Sequence, residues 1–205
     1  MEDCIRDIRF WMLNNDLKLN DDKTEFLIIG ASQQLEKLDN ISIRVRDSDS
    51  HPVPIARNLG SWFDSRLSMA THITKIYASS FYSIYNIRRI RKYLSQQSTE
   101  TLIHAFVTSR LDYCNGLLYG LQDCLLNKLK RVQNACARLI FKENKFCHVT
   151  PLIYELHWFL IRYRIEFKIL LITLKILNFL APTYLSSLIA INFNLVIRVL
   201  NEKLH

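Results

Sequence analysis

The sequence predicts an α+β chain that is predominantly α, with a small antiparallel sheet and one helix at the front. Three observations carry this. Only 4 Gly and 4 Pro in 205 residues leave few interruptions, which favours helix. Period-two patterning and turn chemistry are confined to the residues before 68, and helical apolar spacing dominates afterwards. The charge also flips at this joint: residues 1–70 carry 9 Lys+Arg against 12 Asp+Glu, and residues 71–180 carry 16 against 6. Residues 57–73, RNLGSWFDSRLSMATHI, form the junction on which the chain is organised.

Taken in order, Ile5, Ile8 and Met12 define an amphipathic helix over residues 4–15. Asn20, Asp21, Asp22 and Lys23 read as a turn, and TEFLII at 24–29 as a buried strand ended by Gly30. Residues 32–38 suit a short helix. Ile41, Ile43 and Val45 alternate with polar residues as a strand does, and residues 47–50 carry turn chemistry. Pro52 and Pro54 confine the next strand to an edge or a short piece. Leu59, Trp62 and Phe63 then supply an apolar strand in which Gly60 permits close approach.

Four helical stretches are expected beyond Ser68. The first, capped by Ser68 or Thr71, carries Ile73, Ile76, Tyr77, Phe81, Ile84 and Ile87 on one stripe, with Arg88, Arg89, Arg91 and Lys92 at its end. The second opens at Ser98 and runs through Ile103, Phe106, Val107, Tyr113, Cys114 and Leu117. The third, 125–142, is the cleanest. Leu125, Leu129, Val132, Cys136, Leu139 and Ile140 share one arc, and Lys128, Arg131, Arg138 and Lys142 share another about 80° wide. The last spans 161–178, before Pro182 and a short helix over 184–190. The tail 191–205 has little pattern.

Such a length can bury a core, as one domain or as two small lobes. A net charge of +8 and a pI near 9.3 suit a polyanionic partner, nucleic acid or an acidic membrane face. The acidic N-terminus lacks a secretory apolar region, and five cysteines are an odd number, so reduced thiols and an intracellular location are expected, in nucleus or cytoplasm. Arg162, Arg164, Glu166, Lys168 and Lys175 interrupt the apolar segment 159–180, which reads as a buried helix with a charged flank or at most an interfacial one.

Several constellations invite chemistry. Asp21 and Asp22 form an adjacent carboxylate pair of the kind that holds two divalent metals, but their setting is a solvated turn. Cys114, Cys124, Cys136, Cys147 and His148 lack a short zinc-knuckle spacing, and Cys114 and Cys136 fall on apolar helical faces, as buried thiols do. His104 and His157 read as helix-packing residues. No phosphate-cradling glycine motif is present; Gly116 and Gly120 are a lone small-residue pair. The two basic clusters, with Tyr77, Phe81, Tyr82, Tyr85 and Tyr93 close by, can track phosphates and stack bases. The same stripes could also be solvated faces.

The segments WMLNNDLKLNDDKTEFLIIG, RNLGSWFDSRLSMATHI, YNIRRIRKYLSQQSTETLIHAFVTSRLDYCNGLLYG, LNKLKRVQNACARLIF and TPLIYELHWFLIRYRIEFKILLITLKIL follow one another in this order. Together, over roughly residues 4–190, they resemble the C-terminal part of reverse transcriptases of non-LTR (LINE, jockey-like) retrotransposons. The resemblance implies a palm remnant over 1–68, a helical thumb and connection region over 69–190, and an unpatterned tail over 191–205. It makes Asn58, Leu59 and Gly60 a primer-grip-like element. The family's catalytic aspartates, in an aromatic-x-Asp-Asp hairpin and an earlier Asp, belong upstream of the first helix and have no counterpart here.

The expectation is therefore a truncated fragment of an RNA-directed DNA polymerase, inactive alone and without a cofactor, whereas the intact family enzyme would use divalent metal ions such as Mg. Residual non-specific binding to RNA, DNA or their hybrid would use Arg88, Arg89, Arg91, Lys92, Lys128, Arg131, Arg138 and Lys142, with no membrane span. The alternative is a helical protein-interaction or structural remnant with no nucleic-acid role.

Overall fold

The computed structural model describes residues 2–20, 24–38, 41–45 and 48–190. The chain is α+β and predominantly α. Its elements are α1 (Glu2–Asn14), α2 (Ser32–Leu35), β1 (Ile43–Val45), β2 (Ser48–Ser50), β3 (Ile55–Asn58), β4 (Ser61–Asp64), α3 (Ala70–Ile90), α4 (Gln96–Ile103), α5 (Ser109–Asp112), α6 (Asp123–Phe141), α7 (Val149–Glu155), α8 (Ile161–Leu177) and α9 (Thr183–Ala190). Contacts divide it into two units, Met1–Ser79 and Ser80–His205. Their border falls inside α3.

In the first unit α1 packs against β1. The strand expected over 24–29 does not form. Its contacts are isolated ones: Phe26 O accepts from Val53 N at 2.9 Å, and Gly30 N donates to Ser65 O at 3.0 Å. Pro52 and Pro54 flank Val53 and have no N–H, so the neighbouring segment cannot donate a continuous ladder. Residues 48–50, expected as turn, instead pair antiparallel with β1, Ile43 opposite Ser50. β3 and β4 form a second, separate hairpin, with Ile55 opposite Asp64 and Asn58 opposite Ser61. Its two-residue tip is Leu59-Gly60, with φ of +46° and +88°. Two positive φ values are what a type I′ turn requires, so Gly60 serves the turn and not a strand interior.

Asp64 organises the entry into α3. Its Oδ1 accepts from Arg66 N (3.1 Å) and Ser68 N (3.0 Å), and its Oδ2 from Ser68 Oγ (2.9 Å) and Met69 N (3.0 Å). One carboxylate thus satisfies the N–H groups ahead of α3, whose unpaired first-turn donors favour negative charge. Ser68 Oγ adds a weaker bond from Ala70 N at 3.3 Å. Partial burial pulls the Asp64 carboxyl upward, but the bonds from Ser68, Arg66 and Met69 outweigh it and leave its pKa lowered. Beside it, His72 is buried and accepts from Trp62 N through Nδ1 at 3.4 Å. Burial lowers its pKa, so the neutral imidazole is favoured.

The second unit is built around α6, which packs against α4, α7 and α8. Leu129, Val132, Cys136, Leu139 and Ile140 are buried along the expected arc, each of the Leu, Val and Ile side chains contributing about 1.5–3 kcal/mol of hydrophobic stabilisation. The preceding helix differs from expectation. Ser95, not Ser98, is its cap, accepting from Ser98 N at 3.0 Å. α4 passes through a π-helical turn (His104–Thr108) into α5, which stops at Asp112. Tyr113 is extended and Cys114 left-handed (φ +52°), so neither they nor Leu117 continue the helix. A 3-10 turn (Asn115–Leu118) then packs against α8, where a Cβ on Gly116 would meet Ile169 Cδ1 at 3.4 Å.

α7 has no counterpart among the expected helices. Pro151 masks it in the sequence, yet the proline lies in the first turn, where its missing N–H is not needed. On α8, Ile161, Ile165 and Ile176 are buried, and Tyr163, Phe167, Leu170, Leu174 and Leu177 lie exposed on the opposite side. Arg164 Nη1 binds Asp112 Oδ1 and Oδ2 at 3.0 and 2.7 Å, tying α8 to α5, and Arg162 pairs with Asp123 at the start of α6. α9 packs on α8. The tail 191–205 lies outside the described residues. Among the described residues no helix is long and apolar enough to cross a membrane.

Asp64→Ala should lower the unfolding free energy by about 1–2 kcal/mol at pH 7, as loss of a strong helix cap does. Because the folded pKa lies below the unfolded 3.8, the stabilisation is complete above that value and disappears as pH falls through the folded one. Urea titrations of both proteins at pH 7 and pH 3 should show the gap closing in acid.

Candidate nucleic-acid interface

The two expected basic clusters meet at one place. Arg88, in the last turn of α3, and Arg91, just beyond it, line a depression of about 480 Å³ with Arg138 of α6 and Lys142 just after it. Lys145, to which the sequence pattern assigned no role, also lines it, and among the described residues Glu143 is the one lining carboxylate. Arg89, Lys92, Lys128 and Arg131 are not among its lining residues. Arg89, Lys92 and Arg131 are exposed, and Lys92 lies over the Tyr93 ring at 4.7 Å; Lys128 is half-buried.

The lining cations do different work. Arg91, expected to contact phosphate, is only 7% exposed. Its Nε donates to Leu139 O at 2.9 Å, its Nη2 to Ile140 O at 2.6 Å and its Nη1 to Leu94 O at 2.8 Å. It is a structural clamp on the C-terminal carbonyls of α6, which a helix leaves without internal partners. Arg138 is half-buried and directs Nε and Nη2 at Cys147 O (3.3 and 3.1 Å), holding the loop after α6. Arg88, Lys142 and Lys145 are exposed and present charge to solvent. Lys142 projects from the left-handed residue that ends α6 (φ +59°).

Within the first unit, Leu59 stands at the tip of the β3–β4 hairpin, 84% exposed. Below it the Trp62 ring carries the Arg57 guanidinium at 5.7 Å and the Lys75 ammonium at 5.4 Å from its centroid. Asn58, Leu59 and Gly60, for which the resemblance implies a primer-grip-like role, form an apolar-tipped turn next to a cation–aromatic stack.

Other candidate chemistry is dispersed. Cys114 and Cys124 are exposed, Cys147 is half-buried and Cys136 is buried, its thiol pushed up to about 12 by burial. Cys114 occupies a left-handed turn, not the apolar helical face expected of it. Among the described residues no three His, Cys, Asp or Glu side chains gather as metal ligands would. Asp21 and Asp22 lie outside the described residues. His104 sits in the π-helical turn, edge-on to Trp158 at 5.6 Å and 3.4 Å from Glu100 Oε1.

Arg91→Lys keeps the charge but loses the planar fork, and should cost about 2–4 kcal/mol of stability in urea denaturation. Arg89→Ala, at an exposed position, should change it by less than about 0.5 kcal/mol. Equal effects would remove the distinction between clamp and surface cation. No protein-family model, no curated protein and no solved structure matches this chain.

Proposed function

We propose that this chain acts as a thumb-like, nucleic-acid-contacting part of a non-LTR retrotransposon reverse transcriptase, and that its own activity is sequence-independent binding of RNA, DNA or their hybrid. The observation that carries the reading is the convergence of Arg88, Arg138, Lys142 and Lys145 on one depression from α3, α6 and the loop after it. Cations so grouped neutralise successive phosphates and release condensed counterions on binding. The reading assigns binding, not nucleotide transfer, to these residues. Arg88, Lys142 and Lys145 supply contacts, whereas Arg91 and Arg138 keep the helix ends that carry them in place. The family resemblance supplies the polymerase context and puts the Asn58–Leu59–Gly60 tip against a primer strand.

Anisotropy titrations with a labelled RNA–DNA hybrid should show affinity falling steeply with salt. The triple variant R88E/K142E/K145E should bind at least about tenfold more weakly at low salt, and its log–log salt slope should be shallower by about one unit for every phosphate no longer neutralised. The weakening should be the same across hybrid sequences. Salt-independent affinity, or an unaffected triple variant, would overturn the reading.

The second reading, a helical interaction module, is favoured by α8. Tyr163, Phe167, Leu170, Leu174 and Leu177 repeat with alternating spacings of four and three residues, the pattern of a coiled-coil seam, and all are exposed. A helix apolar on two faces is stable where both are covered. Sedimentation should then report an oligomer that L170E/L174E converts to monomer. A monomeric parent protein would remove this reading.

A further inference from the structure

We infer that the cleft between α6, α7 and the start of α8 receives a single unstacked nucleobase, with Lys130 on the adjoining phosphate. The inference rests on the nucleic-acid reading above and adds a strand preference to it. The cleft measures about 330 Å³ and is walled by Tyr154, Trp158, Phe159 and Tyr163. This volume falls at the small end of ligand pockets, which range over about 300–1,000 Å³. Tyr154 is 77% and Tyr163 55% exposed, so both rings offer faces that the fold itself leaves uncovered.

The remaining walls are held in advance. Trp158 packs edge-on to His104 and carries the Arg164 guanidinium 5.9 Å from its ring centroid, and Asp112 fixes that guanidinium. The backbone of Phe159 is pinned because its carbonyl accepts from Gln133 Nε2 at 2.7 Å and Arg164 Nε at 3.0 Å. Its ring stacks on Phe167 at 5.8 Å. Rings fixed this way lose little freedom when a base stacks on them.

Polar groups in the lining select among aromatic ligands. Lys130 and Asn134 both line the cleft and, four residues apart on α6, lie on the same helical side. The amide offers both donor and acceptor, the complement of a base edge, and the ammonium complements a phosphate. Among the described residues no carboxylate lines the cleft. An anionic nucleotide therefore fits it better than an aromatic side chain of a protein partner. Paired, stacked bases in a duplex cannot enter, so the site reads single strands.

The test uses the full chain with three probes: a 12-nucleotide oligo(dA), a blunt 12-base-pair duplex, and AMP. Tyr163→Leu and, as an independent variant at a more exposed position, Tyr154→Leu remove a ring while keeping apolar bulk. Each should weaken oligo(dA) about tenfold while duplex affinity stays within about twofold. Oligo(dA) and AMP should quench tryptophan emission, and Trp158→Phe should abolish that quenching. If R88E/K142E/K145E loses the duplex yet AMP still quenches, the cleft stands apart from the depression. Unchanged oligo(dA) affinity in both tyrosine variants would overturn the inference even if salt-dependent duplex binding persists. Occupation by an aromatic peptide at lower concentration than AMP would overturn it as well.

Discussion

The helical unit depends on one buried arginine. Arg91 joins the residues just after α3 to the last carbonyls of α6, 48 and 49 positions further along the chain. A cation taken out of water is costly unless it is hydrogen-bonded, and here two bonds reach carbonyls at the negative end of the α6 dipole and a third reaches Leu94 O. The clamp fixes where α6 ends, and thereby where Lys142 and the loop to Lys145 project. Arg88 lies one helical turn before Arg91 and is carried to the same depression. The surface charge is placed by an interior charge.

That division of labour explains what was and was not legible in the sequence. α6 could be read because its burial is set by a strict helical period, and Leu129, Val132, Cys136 and Ile140 repeat it without a break. Arg88 and Arg91 look alike in sequence; only the arrival of α6 carbonyls separates a clamp from a surface cation. Asp64 was invisible as a cap because its four acceptor bonds reach back over a loop with Leu67 and Met69 in left-handed conformations, a geometry no local motif announces. α7 was hidden by a proline that helices tolerate only in their first turn, and the strand expected at 24–29 failed for want of donors in a neighbour bearing Pro52 and Pro54. Local pattern decided the long helices, whereas long-range partners decided the caps, breaks and short strands.

The aromatic cleft was missed for a related reason. Tyr154 and Trp158 belong to the unread α7 and the turn after it, so nothing in sequence order gathered them with Lys130 and Asn134. The signal was present as an apolar helix flank dense in tyrosine and tryptophan, but rings at such spacing ordinarily fill a core. What distinguishes these is that they remain exposed although the positions around them, Ile153, Ile161 and Ile165, are buried.

α6 also relates the two surfaces to each other. Lys130, Asn134 and Arg138 are spaced four apart, one ridge of α6 that starts in the cleft and ends in the depression, where Lys142 follows as the left-handed residue closing the helix. At 1.5 Å per residue the ridge from Lys130 to Arg138 is about 12 Å long, and it winds about 40° per step, away from the buried stripe. A nucleic-acid strand following that ridge would meet a base pocket at one end and clustered cations at the other without leaving a single rigid element. If both proposals hold, a junction would fit better than a uniform duplex, with paired phosphates at the depression and an unpaired base in the cleft. Charge alone would give a surface that binds any polyanion; on the proposed reading, the ring-lined cleft one helical turn before Arg138 would supply a preference for where a duplex ends.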